Sequence, residues 1–200
     1  MPSIGIIGAG NIGRAIATAL ARKGIRATLS NSRGPESLAE TVAAIGPAIE
    51  AGTRKEAAAQ DIVIVAVKWS KLPAALAGLP DFGGRIVIDA NNPIEAPLFR
   101  PADLGGRASS EVFAALVSGA RVVKAFNTLP PPLLSADPAG EGGRRVIFYS
   151  GDEPQAKAEV GALIDRLGFF GIDLGPLGVG AWLAQFPGGP LPGLNLVRLD

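Results

Sequence analysis

Residues 3–21 read SIGIIGAGNIGRAIATALA. Ile4, Ile6 and Ile7 form a short apolar run of β-branched side chains, the pattern of a strand buried on both faces. Ile12, Ala15, Ile16, Ala19 and Leu20 then recur three and four residues apart, which places them on one face of a helix. Between strand and helix lies Gly8-Ala9-Gly10-Asn11-Ile12-Gly13. Each glycine has its own reason to be there. Gly8 permits the turn out of the strand. Gly10 leaves no Cβ between the backbone and a diphosphate. Gly13 lets the helix lie against the strand. The helix N-terminus adds open N–H groups and the positive end of its dipole. A purely structural glycine turn is the competing reading, but the order strand, glycine turn, helix favours binding of a dinucleotide.

Outward from this unit, strand patterns alternate with helical ones. Strands are expected at residues 26–30 (RATLS), 48–51, 61–67 (DIVIVAV), 85–89 (RIVID), 121–125 (RVVKA), 146–149 and 169–174. Helices are expected at 35–45, 53–59, 70–76, 110–116 and 152–167, the last capped by Asp152. Residues 130–132 read as a stiff proline loop and 136–143 as a mobile loop rich in Gly, Pro and acid. The alternation predicts an α/β fold of Rossmann type, a doubly wound and mostly parallel sheet with helices on both faces. Residues 1–174 form the dinucleotide-binding domain in this reading. Residues 175–200 are a short Gly/Pro-rich extension, with a helix at 179–186, that completes a pocket or a dimer contact.

Open α/β sheets bind ligands outside the carboxyl ends of their strands. The second strand ends in Ser30-Asn31-Ser32-Arg33, with no carboxylate before Glu36. An NAD-specific fold places Asp or Glu there. Two hydroxyls, an amide and a guanidinium suit a 2′-phosphate instead, so the expected cofactor is NADP(H). The plainer alternative is a polar turn with a solvated Arg. Strand 61–67 ends in Val67-Lys68-Trp69, near the cofactor by position, or else a solvated Lys and a packing Trp. Asn91-Asn92-Pro93 and Phe126-Asn127-Thr128-Leu129-Pro130 end the next two strands of that edge. Their amides suit a carboxamide or ribose, while the prolines also serve simple turns.

Composition narrows the chemistry. The 200 residues carry a net charge of +1 and no basic or acidic run, which recommends neither nucleic acid nor a membrane surface. No apolar stretch approaches the roughly 20 residues of a membrane span. The first strand starts without a leader, so a cytoplasmic protein is expected. There is no Cys and no His. That leaves no disulfide, no thiol nucleophile, no thiolate metal site and no imidazole proton donor. Tyr149, the single tyrosine, has Glu rather than Lys four residues on. Either a Lys such as Lys68 or Lys124 acts as the acid, or the reaction needs no acid from the protein. The tail residues Leu177, Val179, Trp182, Leu183, Phe186, Leu191, Leu194 and Leu196 are apolar without forming a core, which points to a homodimer.

Five segments, GIIGAGNIGRAIA, SNSRGPESL, VAVKW, IDANNP and VVKAFNTLP, fall in order at successive strand ends. Together they resemble the NADPH-dependent reductases of the F420-dependent NADP oxidoreductase family, to which the cytoplasmic domains of mammalian metalloreductases are similar. The likeness extends to about Leu177. It implies hydride transfer between NADPH and a small-molecule redox acceptor, a deazaflavin (F420) or a flavin. Carried over, Gly8, Gly10, Asn11, Ile12 and Gly13 bind the diphosphate, with Ala9 in the same turn, and Ser32 and Arg33 bind the 2′-phosphate, with Ser30 and Asn31 beside them in the cofactor site. Val67, Lys68 and Trp69 line the path to the nicotinamide. Asn91, Asn92, Pro93, Phe126, Asn127, Leu129 and Pro130 wall the nicotinamide and acceptor. The family's deazaflavin enzymes often carry His where this chain has Asn127. Their longer helical end is replaced here by FPGGPLPGLNLVRLD.

Two other families share the opening, the pyrroline-5-carboxylate reductases and the β-hydroxyacid dehydrogenases. Both carry a C-terminal helical domain of roughly a hundred residues, for which the residues after Leu177 leave no room. The remaining alternatives are a non-catalytic NADP(H)-binding redox sensor and an NADPH-dependent reductase of a small carbonyl or imine. A sensor has no use for the amide and apolar wall at 91–93 and 126–130.

Overall fold

The computed structural model describes residues 2–95, 100–140 and 142–199; Glu141, within the loop expected at 136–143, lies outside them. In chain order the elements are β1 (Ile4–Ile7), α1 (Asn11–Arg22), β2 (Ala27–Ser30), α2 (Ala39–Ile45), β3 (Ile49–Ala51), α3 (Arg54–Ala58), β4 (Ile62–Val65) and α4 (Leu72–Leu76). There follow β5 (Ile86–Asp89), the small antiparallel pair β6 (Ile94–Glu95) and β7 (Arg100–Pro101), α5 (Ser109–Ala114), β8 (Arg121–Ala125) and α6 (Pro131–Ser135). The chain closes with β9 (Ala139–Gly140), β10 (Gly143–Gly151), α7 (Pro154–Arg166), β11 (Phe170–Asp173), α8 (Leu177–Ala184) and β12 (Val197–Leu199).

The main sheet runs β11-β10-β8-β5-β4-β1-β2-β3. β1 pairs in parallel with β2 and β4, β2 with β3, β4 with β5, and β5 with β8. All of these strands therefore aim their carboxyl ends at one edge. β10 reverses direction against β8, and β11 follows β10 in parallel. This is the doubly wound, mostly parallel sheet that the strand–helix alternation predicts.

Side chains on successive strand residues point to opposite faces, and the sequence uses this cleanly. Ile4, Ile6, Ile62, Ile64, Ile86 and Ile88 pack on the α1 and α7 side. Ile7, Val63, Val65 and Val87 pack on the other, with Ala57, Leu72, Leu76 and Phe113 from α3, α4 and α5. Each such side chain contributes about 1.5–3 kcal/mol relative to exposure. Both faces are buried, so the central strands read as unbroken apolar runs. Gly5 belongs here too: a Cβ at this position would come within 1.9 Å of the Ala57 carbonyl, so α3 can cross β1 closely only over a glycine.

Several boundaries differ from the expectation for identifiable reasons. The helix expected at 35–45 opens as a 3-10 turn, Pro35–Leu38, before α2; that at 70–76 opens as Trp69–Lys71 before α4. Asp152 does not cap α7. The position before that helix is Glu153, with no side-chain cap, and Asp152 Oδ1 instead accepts the Leu177 N–H at 2.8 Å, fixing the start of α8. Pro131 and Pro132 open the short helix α6 rather than a loop, since first-turn positions need no N–H. Within 136–143, β9 pairs with β10. β12 pairs antiparallel with the first residues of β10, so the end of the tail joins the sheet. Among the described residues no helix is long and apolar enough to cross a membrane.

Candidate functional site

At the carboxyl edge of β1, β2 and β4 lies a cleft of about 480 Å³. Its walls come from Gly8, Ala9 and Gly10, from Asn31, Ser32 and Arg33, and from Ala66, Val67 and Lys68, joined by Arg54 and Lys71. The glycine turn has the geometry its sequence implies. Gly8 sits at φ +115°, and a Cβ there would lie 2.2 Å from the Ala66 carbonyl oxygen. A Cβ on Gly13 would lie 1.8 Å from the Gly8 carbonyl oxygen, so the helix can approach the turn only at a glycine. Gly10 is different: a Cβ there meets nothing within 4 Å. Its lack of a side chain is explained by no neighbour in the protein, and it faces the cleft. α1 starts at Asn11 with no side-chain cap, leaving its first N–H groups to a ligand.

The loop after β2 divides into structural and open residues. Ser30 is fully buried, and its hydroxyl donates to the Ile6 carbonyl at 3.0 Å. This corrects its expected position on the 2′-phosphate: it ties β2 to β1 instead. Asn31 shapes the turn, its Nδ2 donating to Ser37 Oγ and its Oδ1 accepting the Arg33 N–H. That turn turns Ser32 and Arg33 outward, exposed on the cleft wall, with no side-chain hydrogen bond or ion pair among the described residues.

Lys68 is exposed in the cleft, whereas the half-buried Trp69 packs against the α3–α5 core, the packing role weighed for it above. Asn91 also proves structural. Its Oδ1 accepts the Val67 N–H at 2.8 Å, and its Nδ2 donates to Asp89 Oδ1 at 2.8 Å. Asp89 Oδ2 in turn accepts from Ser110 Oγ and from Lys124 Nζ. Lys124 is sealed from solvent, and burial pushes its amine below the usual lysine range despite the Asp89 carboxylate beside it.

Further along the edge, Asn92 and Asn127 clasp each other. Asn92 Nδ2 donates to the Asn127 carbonyl at 3.0 Å, and Asn127 Nδ2 donates to Asn92 Oδ1 at 2.9 Å. The tail closes on this pair: the Ala184 carbonyl accepts from Asn127 Nδ2 at 2.6 Å, and the Phe186 N–H donates to Asn92 Oδ1 at 3.1 Å. Both partners of Asn127 Nδ2 are acceptors, which fixes the amide orientation. Its Oδ1 is left buried without a donor among the described residues. Directly before it, Phe126 holds φ +65°, a conformation rare for a bulky residue. The Phe126 and Leu129 side chains turn into the core, Pro93 is buried, and Pro130 is exposed before α6. These four residues thus set the backbone of the wall more than they offer free surface.

Arg54 and Lys71 were absent from the expected site. Arg54 belongs to the carboxyl edge because it follows β3, the short strand expected at 48–51, whose end was not read as part of the site. Lys71 lies one turn beyond Lys68. The rule that ligands gather at strand ends is the signal that would have found both.

A glycine-turn cleft at the carboxyl edge of a doubly wound sheet, bordered by an open Ser–Arg pair, defines a Rossmann-type fold with the form of a dinucleotide site. Residues 3–93 match the family described as NADP oxidoreductase, coenzyme F420-dependent. It is 30% identical over 179 residues to Metalloreductase STEAP3 of Rattus norvegicus, covering 88% of this chain and 34% of that protein, so it spans about a third of the relative's length. Among solved structures it is similar to a hypothetical protein of Sinorhizobium meliloti, with 45% identity, coverage of 99% of this chain and 96% of that one, and a TM-score of 0.94. A protein of Arthrobacter sp. FB24, described as a candidate F420-dependent NADP reductase, is 29% identical over 88% of this chain and 86% of its own, with a TM-score of 0.74. A reductive aminase of Aspergillus terreus, 22% identical with coverage of 90% and 56% and a TM-score of 0.64, shares the fold.

Proposed function

We propose that this protein is an NADP(H)-dependent oxidoreductase that exchanges hydride with a planar deazaflavin or flavin-like acceptor. The observation that carries the reading is the cleft at the carboxyl edge, where Gly10 opens onto empty space beside the exposed Ser32 and Arg33. The open N–H groups at the start of α1, with Gly8–Gly13, hold the diphosphate. Ser32 and Arg33 hold the 2′-phosphate. Val67 and Lys68 border the path to the Asn92–Asn127 end, where the two interlocked amides fix the wall that orients the nicotinamide. Bound in this way, the dinucleotide supplies a hydride at its nicotinamide.

The protein's part is then distance and orientation, with no proton transfer asked of a side chain. Lys124 supports this, because its amine is buried and engaged with Asp89 and the Asn91 carbonyl. The acceptor takes its proton from solvent.

Residues 175–200 complete the acceptor end through Ala184 and Phe186 in this reading, with residues 1–174 as the dinucleotide-binding domain. We also infer a cytoplasmic homodimer. Val179, Trp182, Leu183 and Phe186 stand three and four residues apart along α8 and beyond it, and all are exposed. Such an apolar stripe on a short tail suits a second copy of the chain. Light scattering at low micromolar concentration should give twice the 20.3 kDa chain mass.

The deciding experiment is NADPH oxidation with F420, FMN, FAD, ferric chelates and quinones as acceptors. Turnover with a ring acceptor is expected. Turnover only with a small carbonyl or imine, or none with any acceptor despite NADPH binding, would replace this reading.

A further inference from the structure

Two further cations, Arg54 and Lys71, stand on the cleft wall. Arg54 is the first residue of α3, behind the Thr53–Glu56 capping box. Its Nη1 donates to the carbonyls of Ala74 and Ala75, both at 2.8 Å, so the side chain is anchored across to α4. That anchorage uses one of its three nitrogens and leaves Nε and Nη2 as donors for a ligand. Lys71 sits at the threshold of α4, exposed, with no ion pair among the described residues. With Arg33 and Lys68 they make four cations around one cleft, and no carboxylate is among its lining residues. Like charges in one concavity repel; Arg54 alone has a structural tie, to α4, while the side chains of Arg33, Lys68 and Lys71 have none among the described residues, and an anion gives the four a reason to gather.

The diphosphate already has a receptor in the glycine turn and the start of α1. A phosphomonoester carries about −1.5 to −2 charges at neutral pH, more than Arg33 alone offsets. We propose that Arg54 and Lys71 determine specificity for the 2′-phosphate of NADP(H). They take the phosphomonoester from the α3–α4 side while Ser32 and Arg33 take it from the end of β2. This rests on the NADP(H) reading above. Arg54 is the stronger of the two, because its fork is already held in place and loses little freedom on binding.

Calorimetric titration of the full chain separates the possibilities, with NADPH, NADH, adenosine 2′,5′-bisphosphate and ADP as ligands. Arg54→Gln and Lys71→Gln should each weaken NADPH and the 2′,5′-bisphosphate by about tenfold or more, and NADH and ADP by less than about twofold. Arg54→Lys should fall between, keeping the charge but losing the two-carbonyl anchor. Because Arg54→Gln also loosens α4, the exposed Lys71→Gln serves as the variant free of that effect. Equal losses on all four ligands, or no loss with either variant, would overturn the proposal while leaving NADP(H) as cofactor. A wild-type protein that binds the 2′-phosphorylated ligands no better than their counterparts would overturn both.

Discussion

Lys124 Nζ donates to Asp89 Oδ2 across 3.1 Å, and the two side chains are 1% and 0% exposed. The pair joins the ends of β8 and β5. Through Asn91 it reaches the Val67 N–H at the end of β4, so three strand ends at the proposed site share one buried polar knot. Breaking one partner of such a pair strands the other charge in the interior. Lys124→Met should destabilise the protein by about 3–5 kcal/mol in urea denaturation. Adding Asp89→Asn should recover part of that loss. A cost under about 1 kcal/mol would mean that water reaches the knot.

The glycines of the turn should separate into two kinds. Gly13→Ala drives a Cβ into the Gly8 carbonyl and should cost about 1–3 kcal/mol of stability. Gly10 has φ −76° and open space around it, so Gly10→Ala should stay within about 1 kcal/mol of wild type. Its NADPH affinity should nonetheless fall. Thermal unfolding and a binding titration on the same two variants check this; a Gly10→Ala protein that binds normally refutes the diphosphate assignment.

Arg33 is exposed and unpaired among the described residues, so its removal disturbs little of the fold. Arg33→Ala should lower NADPH affinity by about tenfold or more through the loss of a charge-assisted bond, leaving NADH almost unchanged. Fluorescence titration with both cofactors measures the ratio, and an equal loss for both would make Arg33 a loop residue.

Acid stability has an identifiable contributor at the other end of the sheet. Asp61 Oδ2 accepts from the Ser3 N–H at 2.7 Å and from Ser3 Oγ at 2.8 Å, and these bonds hold its carboxyl below the usual aspartate range. Its folded pKa is depressed, so its stabilising contribution is present above the unfolded value and lost as pH falls through the folded one. Asp61→Asn should therefore be less stable than wild type at neutral pH and converge with it as pH falls below the usual aspartate range. Glu56 and Asp81 are lowered by similar hydrogen bonds and will keep part of the acid limb in the variant.

The legible parts of this molecule were those where one physical signal dominates. Ile4–Ile7 and Ile62–Val65 are apolar without a break because both sheet faces are covered, and the glycine turn needs its glycines for steric reasons visible in the sequence. Less legible were residues whose role depends on a distant partner. Ser30 reads as a phosphate ligand until Ile6 is seen accepting its hydroxyl, and Asp152 reads as a helix cap until Leu177 arrives beside it. β12 pairs through main-chain bonds that leave no pattern in a Gly/Pro-rich tail. Asn91 and Asn127 look alike at two strand ends, yet Asn91 uses both ends of its amide and Asn127 keeps a buried oxygen without a donor.

Asn127 Nδ2 is held by Asn92 Oδ1 and the Ala184 carbonyl, so the amide is fixed and joins the end of β8 to the tail. Its Oδ1 is buried without a donor, which costs roughly 1–3 kcal/mol and is tolerated where the position matters. Asn127→Ala should lower turnover with a ring acceptor at least tenfold while leaving the NADPH dissociation constant within about threefold, because orientation at the reacting end is lost and the phosphate contacts remain. The variant must be checked for folding, since it also releases Ala184. Asn127→Asp supplies the complement: it keeps an acceptor but no longer donates to Asn92 and Ala184. If position rather than chemistry matters, it should fall with the alanine variant. The pH–rate profile of the wild type should lack a steep limb near neutrality, since no side chain is asked for a proton. A steep limb that disappears in Lys68→Met would instead make the exposed Lys68 the acid, and a small carbonyl or imine the substrate.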